Sequence, residues 1–474
     1  MSDQELQAAL QEADKNFPKS LEKLSEFVRI PSISTKEEHR EDCKKAANWL
    51  AEELRSLGLE TNLYPGKWGD PGHDLVLGKI DPHKTANPKG PTLLFYGHYD
   101  VQPVDPIELW ESDPFKPTKR MREDGQEALY GRGASDDKGQ LLTFVEACHA
   151  WIKANGKLPL PIKFLSEGEE EVGGENLPFF IDAHKEDLKA DLVLVCDTMM
   201  PHKDLPAITA SLRGLVGEEV IIHCANQDLH SGMFGNAAAN PIHILTKALA
   251  ALRDDTGRIT LKGFYDNVRL PSEAEKKEWN SSLKSENEIL EKVGLSEPAG
   301  EKGFSCIEQL WARPTCEING IFGGYTDPGF KTVIPANATA RISFRTVPGQ
   351  NPKQIRETFR QHIQDHLPKD ARAEFHPHGA SPGWEFPKNT PLLQIALKAL
   401  RDEWENKAIA IGCGASIPIA EEVEHKLGLP ALLVGFALSE DRIHSPNESY
   451  AIESYRKGIR AWIRILEAFS QSKT

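Results

Sequence analysis

The apolar residues of this chain form short continuous runs that alternate with stretches of helical spacing. Apolar residues three or four apart, ending before Pro31 and before Gly58, predict two amphipathic helices within residues 20–60. Short apolar runs bounded by polar residues are typical of buried strands. The predicted strands are residues 92–96, 162–165, 192–196, 408–411 and 431–434. Strands alternating with helices indicate an α/β domain with a mainly parallel sheet.

The middle of the chain has a different pattern. Residues 218–224 and 339–345 alternate apolar and polar side chains, which is typical of strands with one face in water. Asn240-Pro241 and Asn351-Pro352 each combine an N-cap residue with a proline suited to the first helical turn. Strands and helices of this kind predict a separate α+β module.

This module divides the chain into domains. We predict a first part of the catalytic domain at residues 1–209, an inserted lid and dimerisation domain at 210–382, and a second catalytic part at 383–474. Within the insertion, residues 253–314 are polar and weakly periodic, so they are predicted to form an elaborated loop.

Composition and charge restrict the class of protein. With 474 residues, 39% hydrophobic and 27% charged, the chain is typical of a two-domain globular protein. The net charge of −15 argues against a nucleic-acid partner. No stretch approaches the roughly 20 apolar residues of a membrane span, and the N-terminus lacks a secretory pattern. Seven scattered cysteines indicate thiols in a reducing compartment, so we expect a cytoplasmic protein.

Histidines and acidic residues lie near the ends of several predicted strands and helices. They are His98 and Asp100, Asp136 and Asp137, Glu169 to Glu171, Asp197, and His444. A lone histidine is more often a core residue, and a glutamate run is more often a solvated patch. However, α/β folds place their sites where parallel strands end, and the whole set falls near such ends. The spacing of His98 and Asp100 also lets the carboxylate reach the second imidazole nitrogen, as at many metal-bound histidines.

Four segments together resemble the M20 metallopeptidase family, which includes cytosolic dipeptidases, carnosinase-like enzymes and amino-acid deacylases. They are His98-Tyr99-Asp100-Val101-Gln102-Pro103, residues 131–139, residues 167–171, and His444-Ser445. The resemblance runs nearly end to end, because the insertion at 210–382 fits the family's lid domain. Chain length and the motif Lys331-Thr332-Val333-Ile334-Pro335 are closest to the cytosolic nonspecific dipeptidase and carnosinase-like branch.

The resemblance implies a di-metal hydrolase centre. The implied ligands are Asp136 as the bridge, His98 and Asp197 on one ion, and Glu171 and His444 on the other. It also implies that Asp100 orients His98 and that Glu170 is the general base. Nitrogen and oxygen ligands without thiolates favour zinc, with manganese or cobalt as alternatives. Two such ions activate water and polarise the scissile carbonyl.

The resemblance also assigns substrate contacts. His230 would supply an oxyanion donor from the lid of a partner subunit, which implies a homodimer. Arg345 matches the carboxylate-binding arginine, and its planar guanidinium suits that ligand. Thr332 and Ser416 match further substrate contacts. Gly412-Cys413 departs from the pattern, because the cytosolic dipeptidases carry an Arg-Glu pair there, and this leaves substrate preference open.

These observations predict a hydrolase that cleaves dipeptides or short peptides with a free C-terminal carboxylate, using metal-activated water. An N-acyl amino acid amidohydrolase, such as a deacetylase or desuccinylase, is the alternative, because no site for a free amine can be located in the sequence. A non-enzymatic binding protein on the same fold would lack ligands or base, whereas all five ligands and Glu170 are present.

Overall fold

The computed structural model describes residues 2–67, 72–281, 288–387, 390–405, 407–415 and 417–472. In chain order the described strands are β1 Glu60–Tyr64, β2 Leu75–Lys79, β3 Leu93–His98, β4 Thr118–Met121, β5 Glu127–Tyr130, β6 Ile162–Glu167, β7 Leu192–Val195, β8 Ala207–Leu212, β9 Gly214–His223, β10 Leu229–His230, β11 Thr315–Gly323, β12 Val333–Ile334, β13 Asn337–Thr346, β14 Arg372–Ser381, β15 Trp384–Glu385, β16 Ile409–Cys413, β17 Ala431–Leu433 and β18 Ser449–Ala451. The described α-helices are α1 Asp3–Val28, α2 Arg40–Ser56, α3 Lys138–Asn155, α4 Asn176–Ala183, α5 Ser231–Phe234, α6 Pro241–Ala250, α7 Glu273–Asn280, α8 Glu288–Glu291, α9 Cys306–Trp311, α10 Pro352–Asp365, α11 Pro391–Trp404, α12 Pro418–Leu427 and α13 Ile452–Gln471.

The chain forms two compact units. The first consists of Met1–Ala210, Phe386–Ala410 and Ile419–Thr474, and the second of Ser211–Glu385 and Ile411–Pro418. The segment Ile411–Pro418, which we placed in the second catalytic part from the sequence, therefore groups with the second unit. The functional domain boundaries that we gave from the sequence stay predictions.

The first unit contains a mixed sheet with strand order β1-β2-β6-β3-β7-β17-β8. The strands β6, β3, β7 and β17 are parallel, as the apolar runs predicted, and antiparallel strands extend the sheet on both sides. Every residue of β3 and of β7 is buried, because both faces of these strands are covered. The unbroken apolar runs at 92–96 and 192–196 reflect this burial.

Helices α3 and α13 form the apolar core of the first unit together with the central strands. The ring of Phe144 in α3 stacks on Phe95 of β3 with centroids 4.0 Å apart, and Trp462 of α13 meets Phe144 edge to face at 5.4 Å. The first predicted amphipathic helix begins earlier than its apolar pattern indicated, since Ser2 and Glu5 form a capping box. None of the helices in the described part of the chain combines the length and apolarity that crossing a membrane requires.

The second unit is built on a four-stranded antiparallel sheet with order β11-β13-β9-β14. Helices α6 and α10 bury apolar residues against it, and Leu245 and Phe359 share a core with Val220 and Phe344. The predicted caps are confirmed, because the side chains of Asn240 and Asn351 accept hydrogen bonds from the first turns of α6 and α10.

The segment 253–314 was predicted to form an elaborated loop, and that prediction did not include its helices. Its described part contains the short helices α7, α8 and α9. Helices α7 and α9 begin at capping boxes, formed by Ser272 with Glu275 and by Ser305 with Glu308. Their polar exposed faces hid the helical period, but the capping residues were a signal in the sequence.

Candidate metal centre

The parallel strands bring several of the candidate residues to one sheet edge. His98 is the last residue of β3, and it lies opposite Glu167 at the end of β6. Strands β3 and β7 are paired up to Tyr96 and Val195, so Asp197, two residues further along, emerges beside His98. The candidates therefore meet because their strands end together, as the sequence predicted.

Asp136 lies at the centre of the cluster. Its Oδ1 is 3.1 Å from Nε2 of His98, and its Oδ2 is 2.9 Å from Nε2 of His444. The same nitrogen of His444 is 3.2 Å from Oε2 of Glu171. Potential ligand atoms of His98, Asp136 and Glu171 all lie within 4.8 Å of one another. A carboxylate that faces a different histidine with each oxygen has the arrangement required of a bridge between two ions.

These groups shift one another's pKa values strongly. Burial alone would raise the pKa of Asp136, but the hydrogen bonds with His444 and His98 hold that pKa below its usual range. The contacts with Asp136 and Glu171 raise the pKa of His444 to about 10. Burial and the charge of Asp136 raise the pKa of Asp197 well above its usual range. Asp197 therefore belongs to the same electrostatic cluster.

Glu170 and Glu171 occupy a short 3₁₀ turn, Glu170–Val172, that follows β6. Burial raises the pKa of Glu170 to about 7, with a further contribution from the charge of Glu171. Burial and the charge of Asp136 raise the pKa of Glu171 as well. In such a setting a carboxylate is stabilised either by a proton or by a cation.

Asp100 contacts both sides of the cluster. Its Oδ1 lies 3.2 Å from Nδ1 of His98, and its Oδ2 accepts a hydrogen bond from the backbone N–H of Glu171 at 3.1 Å. Gln102, which we did not single out from the sequence although it is part of the quoted motif, donates to Oε2 of Glu171 at 2.7 Å. These contacts fix the orientation of an imidazole and of a carboxylate.

A buried carboxylate, Glu448, holds the loop that carries Asp136. Strand β18 pairs with β5 so that Ser449 lies opposite Tyr130, which brings Glu448 to the start of this loop. The Glu448 carboxylate accepts from Arg132 at 2.8 Å and from the backbone N–H groups of residues 133, 135 and 136 at 2.9, 3.0 and 3.0 Å. Sequence reasoning missed this role, because the position of Glu448, four residues after His444, was the only available signal.

The cluster fits divalent metal ions. Oε1 of Glu171 is buried and has no hydrogen-bond partner among the described residues. Four carboxylates lie close together here: Asp136, Glu170, Glu171 and Asp197. Burying several negative charges without a counter-charge would cost folding free energy. Imidazole nitrogens and carboxylate oxygens without a thiolate are the ligand set that zinc and similar ions accept.

The negative charge of a second acidic cluster in the first unit is balanced by a lysine side chain. Glu53, Glu146 and His149 could geometrically hold an ion. However, the ammonium of Lys23 donates to Glu53 at 2.7 Å and to Glu146 at 2.9 Å, and lies 3.3 Å from Nε2 of His149. The lysine thus supplies the positive charge that this cluster needs.

The predicted substrate residues lie in the second unit. His230 is exposed, and its Nδ1 accepts a hydrogen bond from the N–H of Gly232 at 3.0 Å, so it caps a turn. Pairing of β10 with β12 places Thr332 beside it, and the carbonyl of Thr332 accepts from Ser231 N–H at 3.0 Å. Arg345 lies near the end of β13 and lines a pocket. Ser416 lies outside the described residues.

The chain matches known proteins over almost its whole length. Residues 94–468 match the model of peptidase family M20/M25/M40. The chain is 32% identical to the Cys-Gly metallodipeptidase DUG1 of Candida albicans, over 94% of this chain and 93% of that protein. It is 29% identical to the human Beta-Ala-His dipeptidase, over 96% and 91%. A solved M20 family metallo-carboxypeptidase, Sso-CP2 from Sulfolobus solfataricus, is 31% identical with a TM-score of 0.80, over 95% and 99%.

Proposed function

Because the chain belongs to peptidase family M20/M25/M40, we propose that it is a metallodipeptidase that hydrolyses dipeptides or short peptides with a free C-terminal carboxylate. The observation that carries this proposal is the placement of Asp136, whose two carboxylate oxygens face His98 and His444. The names of the Candida albicans and human relatives support a dipeptide substrate. The clustered ligands and base argue against a non-catalytic role.

We further propose that the centre holds two divalent ions, zinc in preference to manganese or cobalt. The residues that would hold them are Asp136 between the ions, His98 and Asp197 on one, and Glu171 and His444 on the other. When bound, the ions lower the pKa of water towards about 7 and polarise the scissile carbonyl. The hydrogen bond between His98 and Asp100, with atoms 3.2 Å apart, would keep the other imidazole nitrogen directed at the metal.

Glu170 is proposed as the general base. It adjoins Glu171 in the same 3₁₀ turn, and it is not one of the five residues assigned as ligands. In that position its carboxylate would take a proton from the attacking water and return it to the departing amine. General acid–base transfer of this kind contributes roughly 10²–10⁴ in rate.

The residues of the second unit are proposed to bind the substrate. Arg345 would hold the C-terminal carboxylate, and Thr332 and Ser416 would make further contacts. His230, supplied by a partner subunit, would donate to the oxyanion, whose stabilisation is often the largest single contribution to catalysis. Residence in the cytoplasm is part of the same proposal.

A homodimer through the second unit is supported by its exposed apolar surface. Phe330 is 92% exposed and Met233 is 77% exposed. The edge strand β11 also exposes Ile318, Ile321 and Phe322. Exposed apolar groups on an edge strand are typical of surfaces that pair with another chain. Light scattering after gel filtration tests this, since Phe330→Asp should shift the wild-type dimer towards monomer, and a monomeric wild type would contradict the proposal.

The function is tested by restoring zinc to chelator-treated protein and measuring hydrolysis of dipeptides and of N-acetyl and N-succinyl amino acids. We expect zinc-dependent turnover of dipeptides. It should fall about 10²–10⁴-fold in kcat in Glu170→Gln and remain near wild type in the control Glu175→Gln, an exposed residue on the same segment. Turnover of acyl amino acids alone would replace the dipeptidase by an amidohydrolase, and undiminished activity of Glu170→Gln would refute the role of that residue.

A further inference from the structure

The loop that carries His444 has an unfavourable backbone conformation. Three of its residues, Arg442, His444 and Asn447, have positive φ angles of 56°, 62° and 63°. Residues other than glycine rarely adopt such angles, because the Cβ atom crowds the backbone. Backbone strain of this kind persists only where the surrounding structure imposes it. The position of His444 therefore depends on the contacts that hold the two ends of this loop.

Two buried side chains hold the C-terminal end of the loop. The side chain of Asn447 accepts from the N–H of Glu111 at 2.9 Å and donates to the carbonyl of Leu109 at 2.9 Å. The next residue, Glu448, accepts from the N–H of Ser135 at 3.0 Å. This end of the loop is thereby fixed to the segment that carries the bridging carboxylate.

The carboxylate of Asp441 holds the N-terminal end of the loop, and its side chain is inaccessible to solvent. Its Oδ1 accepts from the guanidinium of Arg122. Its Oδ2 accepts from the hydroxyl of Ser135 at 2.8 Å and from the N–H of Leu438 at 2.9 Å. One carboxylate therefore joins the start of the His444 loop to the residue that directly precedes Asp136.

Ser135 thus binds both ends of the His444 loop, Asp441 through its hydroxyl and Glu448 through its backbone N–H. The two ligands beside these contacts face each other, since Oδ2 of Asp136 lies 2.9 Å from Nε2 of His444. The bond to Glu448 fixes the backbone next to Asp136. The bond to Asp441 acts three residues before His444, so it controls where the strained loop begins relative to Asp136.

We propose that Asp441 is a positioning residue, whose hydrogen bond with Ser135 sets the place of His444 relative to Asp136 and thereby the affinity for the ion that His444 holds. The inference rests on the proposed metal centre, in which Glu171 and His444 hold one ion. The ligands that hold only the other ion, His98 and Asp197, lie at or just beyond the ends of β3 and β7. This hydrogen bond does not contact those strand ends, so the affinity for the other ion depends on it less.

The experiment is calorimetric titration of zinc into the chelator-treated full-length protein. Ser135→Ala removes the hydroxyl while the ion pair of Asp441 with Arg122 and the backbone bond to Glu448 remain. The binding event that is lost in His444→Ala identifies the ion held by that histidine. In Ser135→Ala we expect the affinity for this ion to fall about 10–100-fold, as is typical when a group that orients a metal ligand is removed. The affinity for the other ion should change little.

Ser25→Ala is the matched control. Ser25 is also buried, but its hydroxyl donates within α1, to the carbonyl of Leu21 at 2.9 Å, so both zinc affinities should remain at the wild-type value. Circular dichroism and urea unfolding verify that each variant is folded. Unchanged affinities in Ser135→Ala, or an equal loss for both ions, would overturn the inference while the two-ion centre stands. A wild-type protein that binds fewer than two zinc ions would instead refute the proposed centre, and the inference with it.

Discussion

Replacing Glu448 with glutamine tests how the loop that carries Asp136 is positioned. The Glu448 carboxylate is inaccessible to solvent and accepts four hydrogen bonds, one from Arg132 and three from the backbone of residues 133, 135 and 136. A glutamine has the same shape but one acceptor oxygen fewer. Its NH₂ group must face one pair of these donors, so two of the four hydrogen bonds are lost.

The expected loss of stability follows from the burial of Arg132. Its side chain is 1% exposed, so the substitution leaves a guanidinium charge without its carboxylate inside the protein. Removing one partner of a buried ion pair costs about 3–5 kcal/mol of unfolding free energy. The backbone hydrogen bonds add no separate increment to this loss, because contacts within one network are not additive. Asp136 would also be less well aimed, which predicts zinc affinity weakened about 10–100-fold.

The assay is urea unfolding of the metal-free protein together with calorimetric titration of zinc. Glu453→Gln is the matched control, since its carboxylate is 51% exposed in an ion pair with Arg456 and should contribute less than about 1 kcal/mol. If Glu448→Gln unfolds within about 1 kcal/mol of wild type and binds zinc equally well, other contacts position the loop and the reasoning fails.

Three further outcomes are expected. Glu218 is fully buried between two arginines, so Glu218→Gln should lower the unfolding free energy in urea by about 3 kcal/mol, whereas the change in Glu219→Gln, whose arginine partner is exposed, should stay below about 1 kcal/mol. Burial raises the pKa of Glu167 to about 8, so the folded protein retains a proton that the unfolded chain releases near pH 4.3. Stability of the metal-free protein should therefore fall as pH rises between these values, and less steeply in Glu167→Gln. Lys138 donates to the buried carbonyl of Phe27 at 3.1 Å, and Lys138→Met should lower the thermal midpoint because this acceptor would lose its donor; an unchanged midpoint would contradict this.

The sequence predicted the parallel strands at the centre of the first unit's sheet and missed the edge strands of the second unit's sheet. Strands β3 and β7 are buried throughout, so their sequences are continuously apolar. Strands β11 and β14 form the edges of the sheet in the second unit, and most of their side chains are exposed or partly exposed. An exposed edge strand has no apolar run and no strict alternation, so its pairing depends on the neighbouring strand.

In the site, residues marked by local sequence patterns were predicted, whereas residues that act through contacts distant in sequence were not. His98 and Asp197 could be selected because each lies at or just beyond the end of a buried strand, and the strand ends meet at one edge. The role of Glu448 was not visible, since its donors lie 312 to 316 residues away in the chain. Gln102 was likewise missed, because only the fold brings its amide to Glu171. Motif spacing predicts ligands, whereas the groups that orient them depend on tertiary contacts.

The electrostatics of the cluster explain why such contacts are needed. The cluster contains four carboxylates, those of Asp136, Glu170, Glu171 and Asp197. Burial and mutual repulsion raise the pKa of Glu170, Glu171 and Asp197. The two histidines cannot balance four carboxylates, and a histidine must be neutral to act as a metal ligand. A fold that forces these groups together is therefore destabilised locally until divalent cations bind. The hydrogen bonds of Glu448 and Asp100 hold the cluster in place against that repulsion, so part of the metal's binding free energy becomes stability of the folded protein.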